Sequence, residues 1–284
     1  MVQHDALVQH IEQDWLCHDR GVVTSKRRFR PSKANWSDYL SRFHRDRPGI
    51  TERLLENAVI PGIGSPYEWL VMPLGPSPGW VVDLGCGSAP IRPLLVQPEA
   101  YVGIDVSRPE LSVAQAEGRG PVVEGDVLEL PFADSSADVV LSSMSVMLFD
   151  PIEGALAEIA RVLRPGGRFV SIRPVTFPVD IADARVGIEL FRGLRSMPAL
   201  PQWLARSRFA RMQAAAGLRV IDDQARRFSH PLHTPDDAQL IVDSLYLPAV
   251  PVSRREDAVR RLTRLSGPGR DVPVSIRRTV SIKV

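Results

Sequence analysis

The sequence predicts an α/β fold in which helices cover both faces of a parallel sheet. Five short and almost wholly apolar segments recur along the middle of the chain, at residues 80–84, 101–105, 121–124, 138–142 and 168–172. Intervals of helical length separate them, and a continuous apolar strand is typical of a sheet that is buried on both faces. The first strand ends in the glycine-rich turn LGCGSAP at residues 84–90.

Length and composition agree with an ordinary globular protein. The 284 residues are 44% hydrophobic and 24% charged, which excludes collagen-like, disordered and disulfide-scaffold proteins. No apolar run approaches the roughly 18 residues of a membrane span, and the N-terminus lacks the features of a secretory signal. The two cysteines, Cys17 and Cys86, are too few for a disulfide framework, so we expect a reducing, cytoplasmic compartment.

Residues 1–78 are predicted to form a helical lid. Loose helical spacing marks residues 1–19, and a basic loop is expected at residues 20–34. A helix face then follows at Trp36, Tyr39, Leu40 and Phe43. Thr51 is expected to cap a second helix, and residues 61–79 are rich enough in proline and glycine to predict a linker. A domain boundary is therefore expected near residue 78.

The C-terminal part predicts a helical insertion followed by two more strands. Residues 151–163 have the spacing of an amphipathic helix, and residues 175–216 lose the strand pattern in favour of helices. Strands are expected at 218–228 and 273–284, with a helix at 235–246 between them. Thr234 is the predicted N-cap of that helix, and Pro235 occupies its first position.

Acidic residues at the ends of the first three predicted strands indicate which ligand the sheet binds. Asp83 precedes Gly85 by two residues, where its carboxylate would repel a pyrophosphate and suits a positively charged group. Ala89 and Pro90 also stand where a dinucleotide-binding turn has its third glycine. A carboxylate at Asp105 can accept hydrogen bonds from both ribose hydroxyls.

The residues just after the third predicted strand are suited to bind an adenine. Asp126 could accept a hydrogen bond from an exocyclic amine, and the backbone N–H of Val127 could donate to a ring nitrogen. The three places together are suited to an aminoacyl end, a ribose and an adenine.

Five segments resemble the successive motifs of class I S-adenosylmethionine-dependent methyltransferases, especially the type 11 branch that modifies small molecules. They are VVDLGCGSAP, VGIDVS, GDVLELPF, DVVLSSMSVMLF and EIARVLRPGGRFV, in the usual order and spacing over residues 79–173. The resemblance implies a Rossmann-like, mostly parallel sheet of seven strands with an antiparallel last strand. The implied domain spans residues 79–284, with a donor-binding core at 79–174, the helical insertion at 175–216 and C-terminal strands at 218–284.

The resemblance also implies S-adenosyl-L-methionine as the methyl donor. Val106 would lie against the adenine face, and Cys86 would be a small side chain beneath the donor. The other implied donor contacts are Asp83, Gly85, Gly87, Asp105, Asp126, Val127 and Ser143.

The catalytic residues are less clearly indicated. The loop VMLFDP at residues 146–151 lacks the histidine pair that many relatives carry, which predicts an apolar substrate face and no base from this loop. His230 and His233, after strand 218–228, are candidate general bases, and Tyr39 and His44 are candidates in the lid. No cluster of residues has the spacing of a metal site.

We expect methylation of a small molecule, for example a specialised metabolite, and no membrane partner. RNA or protein methylation is an alternative, because residues 181–284 carry 18 basic and 10 acidic side chains, but nucleic acid is not favoured. Loss of methyl transfer on a methyltransferase fold is a second alternative, since residues 146–149 are apolar. A nicotinamide dehydrogenase is disfavoured by Asp83 and the missing third glycine.

Overall fold

The computed structural model describes residues 33–96, 100–175 and 181–284. The predictions for residues 1–32, including Cys17, lie outside these ranges. A seven-stranded sheet has the order β3-β2-β1-β4-β5-β7-β6. Its strands are β1 (Trp80–Leu84), β2 (Ala100–Asp105), β3 (Val122–Glu124), β4 (Ala137–Ser143), β5 (Leu163–Pro174), β6 (Leu218–Pro231) and β7 (Asp271–Lys283).

The strand directions confirm the predicted topology. β1 to β5 pair in parallel, and β7 is antiparallel to both of its neighbours, β5 and β6. The carboxyl ends of β1, β2, β3 and β4 therefore meet at one edge of the sheet, where ligands bind in open α/β folds.

Nine helices lie within the described ranges. They are α1 (Lys33–Asp46), α2 (Ile50–Glu56), α3 (Pro66–Val71), α4 (Arg108–Ala116), α5 (Ile152–Val162), α6 (Ile181–Leu194), α7 (Arg206–Ala215), α8 (Pro235–Asp243) and α9 (Val252–Thr263). The insertion before β6 is helical, as predicted, and consists of α6 and α7. α9 was not predicted from the sequence.

Each face of the sheet is covered by a different set of helices. On one face, α5 and α7 pack on β1 and β4 through residues such as Leu156 and Phe209. On the other face, Leu55 of α2 and Trp69 of α3 pack against Val170 of β5. A separate cluster joins α6, α8 and α9 through Leu194, Ile241, Ala258 and their neighbours. Among the described residues no helix is long and apolar enough to span a membrane.

Two local predictions in the N-terminal region were wrong. The expected linker contains α3, whose N-cap Ser65 accepts a hydrogen bond from the Glu68 backbone while the Glu68 side chain accepts one from the Ser65 backbone. These reciprocal bonds satisfy two N–H groups that the first helical turn leaves unpaired. The N-cap of α2 is Gly49 rather than Thr51, with φ +71°, a value that glycine adopts without strain.

A third difference lies after the glycine-rich turn. The interval between the first two strands has helical length, but the turn leads only into a short 3₁₀ turn at Arg92–Leu94. No α-helix therefore begins at the end of β1, and the described residues at this turn offer no long helix dipole to a ligand.

Candidate functional site

The turn between β1 and the 3₁₀ segment is held tightly against the loop after β4. Gly85 and Gly87 have φ values of +61° and +55°. A Cβ atom on Gly85 would lie 2.5 Å from the Cβ atom of Ser145, whose hydroxyl donates to the carbonyl of Leu84 at 2.7 Å. Gly85 is thus required both for its backbone conformation and for its close approach to the neighbouring loop.

Asp83 is a fully buried carboxylate at the end of β1. Its Oδ2 accepts a hydrogen bond from the Tyr101 hydroxyl at 3.1 Å, whereas its Oδ1 has no partner among the described residues. Burial raises the pKa of Asp83 to about 7, against the opposing effect of the Tyr101 hydrogen bond. An unpaired, buried acceptor of this kind is suited to a cation or an ammonium group.

Asp105 links the end of β2 to the glycine-rich turn. Its Oδ2 accepts from the Gly87 N–H at 2.9 Å and its Oδ1 from the Ser107 N–H at 2.8 Å. Burial raises the pKa of Asp105, while these two bonds and the nearby His44 oppose the rise. Because a carboxylate offers about four acceptor positions, Asp105 retains capacity for two ribose hydroxyls.

The predicted adenine contacts lie beside Asp105. Val106 is 68% exposed, which leaves an apolar surface open to a flat ring. Asp126 is exposed and its Oδ1 accepts from the Leu128 N–H at 2.9 Å, so its carboxylate also stabilises its own turn. Val127 is buried beside it. The predicted donor residues on β1, β2 and β3 are therefore adjacent along one edge of the sheet.

Ser143 and Cys86, the two other predicted donor contacts, differ in their hydrogen bonding and packing. Ser143 lies at the end of β4, and its buried Oγ has no partner among the described residues. Cys86 is buried, and burial raises the pKa of its thiol, so little of the reactive thiolate is present at neutral pH. Its Sγ lies where a Cβ on Gly103 would clash, at 2.7 Å, which fits a packing role.

The N-terminal helices approach this site through two buried glutamates that the sequence analysis missed. Glu110, in the first turn of α4, accepts from the Gly49 N–H at 2.9 Å and from His44 Nδ1 at 2.9 Å. His44 Nε2 lies 3.1 Å from the hydroxyl of Tyr246. Glu52 of α2 accepts from the Ser88 hydroxyl in the glycine-rich turn.

Aromatic rings extend the contacts of α1 with the loop after α8. The ring of Tyr246 lies 4.8 Å from Phe43 and 6.3 Å from Tyr39, centroid to centroid, both edge to face. The Tyr39 hydroxyl accepts from the Leu247 N–H at 2.7 Å. Of the predicted catalytic residues, Tyr39 and His44 thus lie in one cluster, and His44 is close enough to Asp105 to lower its pKa.

His230 and His233 lie elsewhere. β6 is the edge strand of the sheet, four strand positions from β1. Arg226 is the last residue of β6 that still lies level with β5, because both strands pair with β7 there. His230 follows four residues later, about 13 Å further along the strand. It is buried, donates from Nδ1 to the Pro231 carbonyl at 2.7 Å and has its pKa lowered by burial. His233 is exposed, with its backbone N–H bound to Asp237. Their placement does not support the predicted catalytic role.

The residues present fit S-adenosyl-L-methionine. The unpartnered Asp83 Oδ1 and Ser143 Oγ lie at the ends of β1 and β4, and the spare acceptor positions of Asp105 lie at the end of β2. Within the described ranges, no group of three His, Cys, Asp or Glu residues could hold a metal ion.

Comparisons with known proteins agree with this arrangement. Residues 82–171 match the family described as "Methyltransferase domain". The chain is 39% identical over 103 residues to the malonyl-[acyl-carrier protein] O-methyltransferase of Methylococcus capsulatus, covering 34% of this chain and 37% of that protein. It is 32% identical over 147 residues to the ubiquinone/menaquinone biosynthesis C-methyltransferase of Rubrivivax gelatinosus, covering 51% and 57%. The chain thus spans only about one third to three fifths of the length of these two relatives.

Solved structures share the fold at low sequence identity. A geranyl diphosphate methyltransferase in complex with GPP and sinefungin superposes with a TM-score of 0.52 at 16% identity, covering 89% of this chain and all of that one. A structure from work on thioacetal formation in echinomycin biosynthesis also gives 0.52, at 18% identity and 89% and 93% coverage. These findings agree with the resemblance: residues 82–171 match the methyltransferase-domain family, and the solved structures share the fold.

Proposed function

We propose that this protein transfers a methyl group from S-adenosyl-L-methionine to a small-molecule acceptor. The observation that carries the proposal is the row of groups at the ends of β1, β2 and β4, where Asp83, Asp105 and Ser143 offer unfilled polar positions along one edge of the sheet. The methyltransferase family match and the relatives' names support the same reaction class.

The donor supplies a methyl group on a positively charged sulfur, and transfer is an in-line displacement that needs no protein nucleophile. The chain's task is to align the two ligands and to exclude water. Asp105 would hold the ribose hydroxyls, and Asp83 would lose its proton beside the cationic end of the donor and face it as a carboxylate. The contact of His44 with Glu110 holds α1 as a lid over this edge, so Tyr39 and His44 serve mainly to close the site and to position the donor.

The acceptor class is inferred from the loop after β4 and from the lid. Val146, Met147 and Phe149 of that loop are buried and apolar and offer no polar group to an acceptor, and Tyr39 of the lid adds a partly exposed ring. This favours a small molecule with an apolar portion, such as a specialised metabolite. The relatives named above act, by name, on an acyl-carrier-bound malonyl group and in quinone biosynthesis.

The charges of the C-terminal third bear on RNA methylation. Several arginines of the basic C-terminal third are engaged by carboxylates of the fold, in the pairs Arg227–Asp183, Arg261–Glu189, Arg277–Asp223 and Arg278–Asp222. These four arginines are therefore engaged within the fold. The pairs leave the net charge of residues 181–284 at +8, because their acids belong to the same part of the chain, so RNA methylation stays an alternative that the salt dependence of RNA binding tests.

Calorimetric titration with S-adenosylhomocysteine tests the proposal. Asp105→Ala removes the acceptor of two ribose hydroxyls, and we expect affinity to fall by at least tenfold, since each hydrogen bond to a charged group contributes about 1.5–3 kcal/mol. Asp46→Ala, at an exposed position of α1, is the matched control and should bind as the wild type does. Equal affinity in the two variants would contradict the proposed donor site.

A second measurement separates binding from transfer. Labelled S-adenosyl-L-methionine is incubated with the protein and a panel of hydroxylated, phenolic and amine acceptors. Transfer of the labelled methyl group to any acceptor supports the reaction. Donor binding without transfer across the panel would favour a protein that keeps the fold but uses the ligand differently.

A further inference from the structure

Met144 has a strained backbone at the end of β4. The chain turns at this residue, between the end of β4 at Ser143 and a 3₁₀ turn that begins at Val146. The φ of Met144 is +55°, a left-handed value that glycine adopts freely and that costs stability in a residue with a side chain. Glycine would make the same turn without this cost, and strained residues of this kind cluster at ligand sites.

Met144 and Ser143 form the part of this turn that is not fully covered. Both are half-buried, whereas Leu141 and Ser142 before them and residues 145–147 after them are buried. The Met144 side chain packs against the hydrophobic cluster beneath α2 and α3. It therefore lies on the face of the sheet that these helices cover, with part of its surface open at the carboxyl edge.

The strand register places Met144 beside the glycine-rich turn. Asp83 of β1 pairs with Leu141 of β4, so the turn after β1 is level with the turn after β4. Gly85 of the first turn meets Ser145 of the second, with 2.5 Å between the Ser145 Cβ and a Cβ built on Gly85. Met144 directly precedes Ser145 and thus adjoins the residues proposed to hold the donor.

The covalent order of the donor indicates which of its atoms would come near Met144. In S-adenosyl-L-methionine the sulfur links the ribose to the amino-acid chain. The proposed adenine and ribose contacts lie at the ends of β3 and β2, and Asp83 at the end of β1 is proposed to face the cationic end. β4 is the next strand of the sheet beyond β1, so the residues that follow it would adjoin the sulfur and its methyl group.

We propose that the Met144 side chain contacts the transferable methyl group of S-adenosyl-L-methionine. This inference rests on the proposed function, because it concerns the donor of that reaction. Met144 offers an unbranched, polarisable thioether at a half-open position, which suits it to cover a small apolar group. Such a contact excludes water from the methyl group before transfer.

Calorimetry with two ligands tests this contact without an acceptor. S-adenosyl-L-methionine and S-adenosylhomocysteine differ in the methyl group, which also makes the sulfur a cation. We expect Met144→Ala to weaken the binding of S-adenosyl-L-methionine by about fourfold, the effect of uncovering one methyl-sized group, and that of S-adenosylhomocysteine by about twofold or less. Met144→Leu keeps a large apolar side chain and should bind both ligands as the wild type does.

Thermal unfolding without ligand measures the strain separately. Met144→Gly relieves the left-handed backbone and Met144→Ala keeps it, so the midpoint of Met144→Gly should be about 2 °C higher than that of Met144→Ala. A midpoint of Met144→Gly no higher than that of Met144→Ala would remove the strain on which the inference is based.

Ser135 is the matched control position. It has a left-handed φ of +54°, is exposed and lies two residues before β4 begins, at the opposite edge of the sheet. Ser135→Gly should likewise unfold at a midpoint about 2 °C higher than Ser135→Ala. Both Ser135 variants should keep the wild-type affinity for the two ligands.

The outcomes separate the Met144 contact from the proposed function. An unchanged preference between the two ligands in Met144→Ala would overturn the contact. An equal loss for both ligands would overturn it too, because Met144 would then shape the turn and not the surroundings of the methyl group. Absence of binding of both ligands in the wild type would remove the proposed function itself, whereas normal binding in the wild type with an unchanged preference in Met144→Ala removes the Met144 contact alone.

Discussion

Asp83→Asn should change how the stability of the protein depends on pH. Asp83 is fully buried, and burial raises its pKa from 3.8 to about 7. The folded protein therefore keeps the Asp83 proton up to neutral pH, whereas the unfolded chain loses it near pH 4. Asparagine has nearly the same shape and cannot titrate, so the comparison isolates this one proton.

The sign and size follow from proton linkage. Between pH 4 and 7 the folded state binds one proton more than the unfolded state, so the free energy of unfolding falls as pH rises, by about 1.4 kcal/mol per pH unit. The contribution of Asp83 is complete below pH 4 and lost above pH 7. Over about three units the wild type should lose on the order of 4 kcal/mol relative to Asp83→Asn.

Urea denaturation of both proteins at half-unit intervals from pH 4.5 to 8.5 measures the difference. Other titrating groups are common to both proteins and cancel. Tyr101→Phe provides an internal test, because the Tyr101 hydroxyl donates to Asp83 and lowers its pKa. In Tyr101→Phe the slope should continue to a higher pH before it levels off. A difference between wild type and Asp83→Asn that stays constant with pH would refute the reasoning.

Two further substitutions test the lid and a helix end. Glu110→Gln removes the charged acceptor that binds the Gly49 N–H and His44, and so loosens α1. The affinity for S-adenosylhomocysteine, measured by calorimetry, should fall about three- to tenfold. Unchanged affinity would mean that α1 does not cover the donor. Arg195 is exposed and lies just after α6 with φ +49°, a backbone conformation that is strained for arginine and not for glycine, so Arg195→Gly should raise the free energy of unfolding by about 0.5–1 kcal/mol in urea denaturation. Arg211→Gly, within α7, is the control and should lower the free energy of unfolding by about 1 kcal/mol. Equal effects of the two substitutions would contradict the inferred strain at Arg195.

The sheet could be predicted because its signal is local and repeated. Strands such as β1 and β4 are continuous apolar runs, and Asp83 and Asp105 stand at their predicted places at the ends of β1 and β2. α3 was missed although SPYE at residues 65–68 has the capping-box pattern, because the surrounding prolines and glycines were given more weight.

The contacts of the lid could not be predicted, because they join residues far apart in the sequence. His44 meets Glu110 across 66 positions and Tyr246 across 202. No local pattern marks such a pair. The same reason explains the placement of His230: the strand was predicted to end at residue 228, whereas β6 continues to Pro231, beyond the end of β5. The division of the chain near residue 78 stays a prediction, although α2 and α3 pack directly on the sheet.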